Sequence, residues 1–184
     1  RAETRRFVMG KYWFEPKSDE TRLAFATVCE MVIHSRILPV PDPIPEPLRR
    51  RAACFVTLYH EGDLAGCIGT VEPYHDNLAE EIIHNAAASA TRDWRFEPVR
   101  PEMLERLTLK VDVLSPIERI SGPDQLDVKR YGVVVEHESR RGLLLPDIEG
   151  ITSVPQQIEI ALRKAGINPS EPYRLSRFEV ERKE

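Results

Sequence analysis

Apolar residues recur every three to four positions in three stretches of the chain, a period that predicts three amphipathic helices. The predicted helices run from Ser18 or Asp19 to about Ser35, over about residues 78–90, and over about residues 155–165. Asn77 with Glu80 has the pattern of a capping box, and Gly166 stands where helices often end. These residues predict where the second helix begins and where the third one ends.

In the segments that separate the predicted helices, apolar and polar residues alternate along the chain, and this pattern predicts strands. Two stretches have the form of hairpins. In the first, a strand at residues 54–59 is followed by a turn at 61–63 and a second strand from Leu64. In the second, a strand at residues 132–137 is followed by a turn at 140–142 and a second strand at 143–146. Single strands are predicted at 109–113 and 173–180. Hairpin, helix and strand therefore occur twice in the same order. This order predicts an α+β fold of two related hairpin–helix–strand units with mostly antiparallel sheets.

Aromatic residues and prolines characterise the remaining segments. Residues 1–17 form an aromatic N-terminal arm, which we expect to pack on the body of the protein or on a partner. Alternating prolines in residues 38–47 exclude a helix and favour an extended surface connector. We expect a single domain over residues 1–184, with a first subdomain unit at 18–116 and a second at 117–184.

The composition is that of a soluble globular protein, with 41% hydrophobic and 30% charged residues among 184. A formal net charge of −4 lacks the positive field that non-specific nucleic-acid binding requires, so nucleic acid is not expected as a partner. The run Arg49-Arg50-Arg51 is a local exception, for which a solvated surface is the more common role and phosphate binding the alternative. No apolar run is long enough to span a bilayer, and no membrane association is expected.

The spacing of cysteine and histidine bears on the redox compartment and on metal binding. The three cysteines are an odd number without a Cys-x-x-Cys pair, which argues against a disulfide framework, an iron–sulfur cluster and a four-cysteine zinc site. Reduced thiols, and hence a cytoplasmic location, are the simplest interpretation. The five histidines lack the spacing that brings two ligands to one metal. We therefore expect neither a metal nor a cofactor.

A cysteine between two glycines lies in the second strand of the first hairpin. The run reads Gly66-Cys67-Ile68-Gly69-Thr70. Glycine weakens strands and occurs where backbone or ligand comes close, so Gly66, Gly69 and Thr70 are candidates for lining a ligand site. Cys67 is the candidate nucleophile, a role that requires a base or cation nearby to lower the pKa of the thiol. The alternative is a small core or cleft-wall residue, because the second hairpin has leucine at the corresponding position after Gly142.

Polar and aromatic residues are also concentrated in Asp93-Trp94-Arg95-Phe96, which follows the second predicted helix. Asp93 and Arg95 are suited to orient an anionic ligand. In the alternative interpretation Asp93 caps a turn and Arg95 forms a structural ion pair. If this loop lies within about 10 Å of Cys67, the two groups form one site together with Thr70. His75 is a further candidate, because it would reach Cys67 if the chain doubled back.

Several motifs, in this order, resemble those of a known family. They are Leu64-Ala65-Gly66-Cys67-Ile68-Gly69-Thr70, Asn85-Ala86-Ala87-Ala88, Asp93-Trp94-Arg95-Phe96-Glu97-Pro98-Val99, Val113-Leu114-Ser115-Pro116-Ile117-Glu118 and Gly142-Leu143-Leu144-Leu145-Pro146. Over about residues 23–178 the chain is similar to the AmmeMemoRadiSam system protein A family, whose domain is also named for the human AMME chromosomal region. Ala65 stands where that family usually has arginine, which is a departure from its pattern.

The resemblance implies an α+β fold of two unequal subdomains with a cleft between them. It implies no particular biochemical activity, because none is established for the family. It also implies a Memo-like protein and a radical-SAM protein as partners, since relatives in prokaryotes are encoded beside them or fused to them. An accessory or adaptor protein is therefore the first functional hypothesis. The alternative is a small-molecule enzyme that uses Cys67 in the cleft. Neither a substrate nor an oligomeric state is predicted.

Overall fold

The computed structural model describes residues 12–184, which divide into two compact units. The first unit contains the described chain up to Val113 together with Arg182–Glu184, and the second unit is Leu114–Glu181. Each unit contains an antiparallel hairpin, a helix packed on that hairpin, and further strands. The predicted α+β fold class with antiparallel sheets is confirmed.

The first unit combines two helices with a four-stranded sheet. The helices are α1 (Asp19–His34) and α2 (Leu78–Thr91), and the strands of the sheet are β1 (Cys54–His60), β2 (Asp63–Gly69), β3 (Leu107–Leu114) and β8 (Val180–Lys183). The last residue of β3 and the first two residues of β8 are counted with the second unit. The strand order is β2-β1-β3-β8, so β2 is an edge strand. Helix α2 packs on β1 and β2, and α1 packs on α2. The core lies between these layers, where apolar residues such as Ile82 and Val56 are fully buried.

Side-chain caps begin both helices of the first unit at the predicted residues. The Ser18 hydroxyl accepts a hydrogen bond from the Thr21 N–H, and the Asn77 side chain accepts one from the Glu80 N–H. These bonds satisfy backbone donors that have no partner within the helix. Glu80 contributes only its backbone to the cap, and its carboxylate lies 3.7 Å from His75 Nδ1.

The second unit repeats the hairpin and helix on a smaller scale. Its strands are β4 (Glu118–Ile120), β5 (Gly132–His137), β6 (Arg140–Leu144) and β7 (Arg174–Phe178), and its helix is α3 (Val154–Ala165). The strand order is β4-β7-β5-β6, which places β6 at an edge. Helix α3 packs on β5 and β6, begins at the Ser153 cap and ends at Gly166, whose φ of 67° is left-handed as predicted.

The last predicted strand, at 173–180, is divided in two. Glu179 leaves the ladder of β7, since its N–H donates to Ser115 Oγ and its carbonyl accepts from the Ser115 N–H. The chain then enters the sheet of the first unit as β8. The alternating pattern continues through Glu179 and gives no sign of this change of sheet. The three-residue strand β4 was also not predicted, because it is too short to show a period.

The described part of the arm packs on its own chain, whereas the connector departs from the predicted extended, helix-free segment. The rings of Tyr12 and Phe14 pack edge-on against Phe25, at centroid distances of 5.4 and 5.3 Å, so this part of the arm lies on its own chain. Residues 1–11 of the arm lie outside the described residues. The proline-rich segment bends at Asp42 and Pro43, whose peptide bond is cis, and a short 3-10 helix at Glu46–Leu48 overlaps its end. A second 3-10 helix spans Pro101–Arg106.

Candidate functional site

A row of buried polar side chains follows one face of α2 towards the sheet. Glu81, Asn85 and Ser89 are spaced four residues apart, and Asp93 continues the spacing beyond the end of the helix. All four are among the buried residues. Residues four apart lie on the same helix face, so one row can serve several points along β1 and β2. We call these four residues the polar stripe.

Asp93 and Arg95 form a closed ring of hydrogen bonds with the backbone of Cys67. The Cys67 N–H donates to Asp93 Oδ2 at 2.9 Å, and Arg95 Nη2 donates to the same oxygen at 2.8 Å. Arg95 Nη2 also donates to the Cys67 carbonyl at 3.2 Å. This ring joins the loop after α2 to the outer side of edge strand β2. The predicted proximity of Cys67 to the Asp93–Arg95 loop is therefore present in the structure.

The electrostatics of the ring favour a permanent ion pair. Hydrogen bonds from the Arg95 guanidinium, together with those from the Cys67 and Arg95 N–H groups, lower the pKa of Asp93 to about 2 despite its burial. The same pair raises the pKa of Arg95. A carboxylate with so low a pKa is a poor proton carrier near neutral pH. Asp93 and Arg95 are therefore built to hold the backbone of β2 in place.

The Cys67 thiol is half-buried and lies beside a hydroxyl group. Thr57 is its cross-strand partner on β1, and the Thr57 Oγ1 atom lies 3.3 Å from Cys67 Sγ. The other two cysteines are buried, and burial raises the pKa of both Cys29 and Cys54 to about 12. Cys67 is thus the least buried of the three cysteines.

Gly66 and Gly69 are required by packing within the first unit. A Cβ atom at Gly66 would lie 2.2 Å from the Ser89 carbonyl oxygen of α2. A Cβ atom at Gly69 would lie 2.3 Å from the ring of Phe55, its cross-strand partner. Both glycines therefore allow close contact of chain with chain, and a ligand is not needed to explain them.

Thr70 and His75 are held by a different member of the polar stripe. Thr70 Oγ1 donates to Glu81 Oε1 at 2.7 Å, and the His75 N–H donates to Glu81 Oε2 at 2.9 Å. The Tyr74 N–H donates to the same carboxylate. Glu81 thereby fixes the loop between β2 and α2. Of the residues predicted to form one site, the structure joins Cys67 with Asp93 and Arg95, and it places Thr70 and His75 around Glu81.

The His75 ring stacks on His84 of α2, with centroids 4.3 Å apart and planes at 8°. Partial burial and the neighbouring His75 lower the pKa of His84. Stacked rings present faces to each other, whereas metal ligands converge through ring nitrogens on one point. Within residues 12–184 no group of three or more His, Cys, Asp or Glu is arranged to hold a metal ion.

The most exposed large hydrophobic side chain near the ring is Trp94, at 90% of its maximum. Its neighbours on both sides are anchored, since Asp93 is buried and the Arg95 N–H and Nε both donate to Asp93 Oδ1. The indole is thus presented to solvent from a backbone that is fixed to β2. Tryptophan is enriched among the residues that dominate binding energy in protein interfaces, which makes Trp94 a candidate contact residue.

The sequence interpretation missed Glu81, Asn85 and Ser89 as structural polar groups. Asn85 Nδ2 donates to the Cys54 carbonyl at 2.9 Å, and the Ser89 hydroxyl joins the strands by accepting from the Ile68 N–H and donating to the Val56 carbonyl. These residues lie within a helix that the sequence predicts as amphipathic, and its apolar stripe gave no indication that polar side chains are also buried on the sheet. The four-residue spacing from Glu81 to Asp93 was the available signal.

Comparisons with known proteins give a consistent result for sequence and structure. A family model described as AMMECR1 matches residues 21–183. A protein of Thermotoga maritima is 46% identical over 162 residues, which cover 86% of this chain and 93% of that protein. A solved crystal structure of an uncharacterised protein from Pyrococcus horikoshii is similar with a TM-score of 0.83 and 31% identity, covering 89% of this chain and 88% of that one.

One relative is much longer than the region it shares with this chain. A Clostridium acetobutylicum protein is 44% identical over 144 residues, which are 78% of this chain and only 31% of that protein. The chain therefore spans less than a third of that relative. The names of these relatives state no activity. None of the described helices is long and apolar enough to cross a membrane.

Proposed function

Since this chain belongs to the AMMECR1 family, we propose that it is an accessory protein that docks a partner through Trp94. The observation that carries the proposal is an indole exposed to 90% of its maximum on a loop that Asp93 and Arg95 fasten to strand β2. Binding through a rigid aromatic side chain loses little conformational entropy. Tryptophan and arginine are also enriched among the residues that dominate binding energy in interfaces.

The first partners to test are a Memo-like protein and a radical-SAM protein, working with this chain in the cytoplasm. Both partners come from the resemblance of the sequence motifs to the AmmeMemoRadiSam system. The long Clostridium acetobutylicum relative is compatible with this choice, because most of its length lies outside the matched region. A domain that belongs to a larger chain in one organism can act beside a separate partner in another.

The test is a binding titration with each purified partner, comparing the wild type with Trp94→Ala. We expect Trp94→Ala to weaken binding about thirtyfold, which corresponds to a loss of ~2 kcal/mol at a hot spot. Trp13→Ala is the matched control, because Trp13 is also exposed but lies in the N-terminal arm with Arg106 stacked over its ring. An unchanged affinity for Trp94→Ala, or no binding of either partner, would show the proposal to be wrong. If only Trp13→Ala weakens binding, the arm is the docking site.

A second candidate function is a small-molecule enzyme that uses Cys67 as a nucleophile. The observation that favours it is the accessibility of this thiol, beside a hydroxyl, in a chain whose other two cysteines are buried. The test is alkylation by iodoacetamide as a function of pH, read by mass spectrometry. Cys29 and Cys54 are internal controls, because a pKa of about 12 should keep them inert in the folded protein.

The pH at which Cys67 becomes reactive decides between the two roles. Labelling with a midpoint below ~7.5, under the ~8.5 of an ordinary cysteine, would indicate an activated thiolate and favour the enzyme. Labelling only above that range, or only after unfolding, would make Cys67 a wall residue of the hairpin.

A further inference from the structure

An open cavity of about 500 Å³ lies at the end of the sheet in the second unit. It is lined by Arg119, Ile120 and Ser121 at β4 and by Tyr173, Arg174 and Leu175 at β7. Ile120 and Leu175 are cross-strand partners and are buried in the core. Side chains alternate along strands, so Arg119 and Arg174 lie on the face of the sheet opposite to Ile120 and Leu175. On that face the two arginines are diagonal neighbours on adjacent strands. The volume is in the range of cavities that hold small metabolites.

The arginines of the cavity differ from the other arginines of the second unit. Arg177 donates to Glu118 at 3.0 Å, Arg130 to Glu179 at 2.7 Å and Arg163 to Glu159 at 2.9 Å. Arg140 forms two hydrogen bonds with Glu171, at 2.7 and 3.1 Å, and Arg141 Nε lies 3.2 Å from Glu136. In each of these pairs a carboxylate already occupies the guanidinium.

The two cavity arginines are less closely paired with carboxylates than the other arginines of the second unit. Among residues 12–184, the Arg119 side chain has no hydrogen bond or ion pair, although it is exposed on an edge strand. Arg174 has only a distant contact, 3.7 Å from Glu136, a carboxylate that Arg141 approaches more closely. The Tyr173 hydroxyl also has no hydrogen-bond partner in that part of the chain. An unpaired guanidinium, a weakly paired guanidinium and a tyrosine side chain therefore line one cavity.

We propose that this cavity binds a small phosphorylated molecule, with Arg119 and Arg174 holding the phosphate and the ring of Tyr173 contacting the organic part. Guanidinium groups match phosphate through paired N–H donors, which makes arginine the preferred side chain for this anion. The cavity is larger than a phosphate ion, which leaves room for an organic group beside Tyr173. This site lies in the second unit and is independent of Trp94 and Cys67.

The experiment is an NMR titration of the full chain with phenyl phosphate, inorganic phosphate and phenylacetate at constant ionic strength, following the arginine side-chain Nε–Hε signals. We expect saturable shifts with phenyl phosphate, weaker binding of inorganic phosphate, and the weakest binding of phenylacetate. Arg119→Gln and Arg174→Gln should each lower the affinity for phenyl phosphate about tenfold, since each removes charged hydrogen bonds.

Arg163→Gln is the matched control, because Arg163 is an exposed arginine of the same unit that faces Glu159 instead of the cavity. The affinity of Arg163→Gln for phenyl phosphate should equal that of the wild type. Arg119→Gln should fold normally, since Arg119 is exposed and has no partner to lose, and thermal unfolding would verify this. Absence of saturable binding at millimolar phenyl phosphate, equal effects of all three substitutions, or tighter binding of phenylacetate would each overturn the proposal.

Discussion

The first hairpin and the second hairpin are held to their helices by the same two contacts. Gly66 of β2 faces the Ser89 carbonyl of α2, and Gly142 of β6 faces the Ala161 carbonyl of α3. In each unit, a side-chain amide of the helix also donates a hydrogen bond to a backbone carbonyl at the first strand of the hairpin or just before it. Asn85 donates to the Cys54 carbonyl at 2.9 Å, and Gln157 donates to the Tyr131 carbonyl at 2.9 Å, each of them four residues before the carbonyl that faces the glycine. These shared contacts are what the hairpin–helix arrangement requires.

The two units differ in the polar groups added to this common frame. Where the first unit has Ser89 and Asp93, the second has Ala161 and Ala165 at the corresponding spacing. The second hairpin has Leu143 in the place of Cys67, and a single Lys164 ammonium donates to the Leu143 carbonyl at 3.0 Å. A hairpin can thus be held without the ion-paired ring. The ring is a special feature of the unit that carries Trp94 and Cys67.

The largest effect is expected from the contacts that the two units share. Gly66→Ala and Gly142→Ala would each place a methyl group about 2 Å from a helix carbonyl oxygen, at 2.2 and 2.4 Å. A helix backbone yields little, so each substitution should lower the free energy of unfolding by about 3 kcal/mol. Urea unfolding followed by circular dichroism measures the loss.

Gly62→Ala is the control for the glycine substitutions. Gly62 has open space around its Cα but a φ of 88°, so only backbone strain of about 1 kcal/mol is expected there. A loss at Gly66 or Gly142 no greater than that at Gly62 would contradict the steric explanation.

A smaller effect, confined to the first unit, is expected from the added polar groups. Asp93→Ala leaves the Cys67 N–H and the Arg95 guanidinium without their acceptor, and should lower the free energy of unfolding by about 2 kcal/mol. Lys164→Ala, the matched change in the second unit, removes an exposed contact and should alter it by less than about 0.5 kcal/mol. The same urea series compares both variants. Equal losses in the free energy of unfolding would mean that the Asp93–Arg95 ring and the Lys164 contact stabilise their hairpins to the same extent.

The smallest effect is a pH dependence that identifies the charge of Asp93. Its pKa is about 2 in the folded protein, against ~3.9 for an ordinary aspartate, so the unfolded chain binds more protons between these values. The stabilisation is complete at neutral pH and is lost as the pH falls from about 4 to about 2. At pH 3 the wild type should have lost about 1 kcal/mol more than Asp93→Asn. If the free energy of unfolding falls with pH equally in the wild type and in Asp93→Asn, the charge of Asp93 is not the cause of the acid destabilisation.

Glu171 of the second unit sharpens this comparison. Arg140 and the Asn168 N–H lower the pKa of Glu171 to about 2 as well. Its side chain is about a third exposed, so solvent screens the pair. The wild type should therefore differ less from Glu171→Gln than from Asp93→Asn in the same acid titration.

The periodic parts of the fold could be predicted from the sequence. The three helices and both hairpins have regular spacing of apolar residues and recognisable caps, such as Ser18 and Gly166. Strand β8 could not be predicted, because it depends on pairing with a distant strand and on the departure of Glu179 from the ladder. Periodicity describes one segment at a time and contains no information on which sheet that segment joins.

The candidate site was predicted only in part, for a similar reason. The motifs indicated that Cys67 and the Asp93–Arg95 loop lie together, and the structure places them in one ring. The position of Thr70 and His75 depends on Glu81, whose carboxylate is buried and collects three donors from the loop. A glutamate in a helix is usually exposed, so this role could be inferred only from the spacing of the whole polar stripe.

The ring around Cys67 also occupies backbone groups on the edge of a sheet. Strand β2 is an edge strand, and an edge strand with free N–H and carbonyl groups is a template on which a second chain can extend the sheet. At Cys67 both backbone groups are already occupied, by Asp93 and by Arg95, and Lys164 occupies the Leu143 carbonyl on the other hairpin. Side chains thus occupy backbone groups at one position of each hairpin edge, where they compete with intermolecular β-pairing, the step from which ordered aggregates grow.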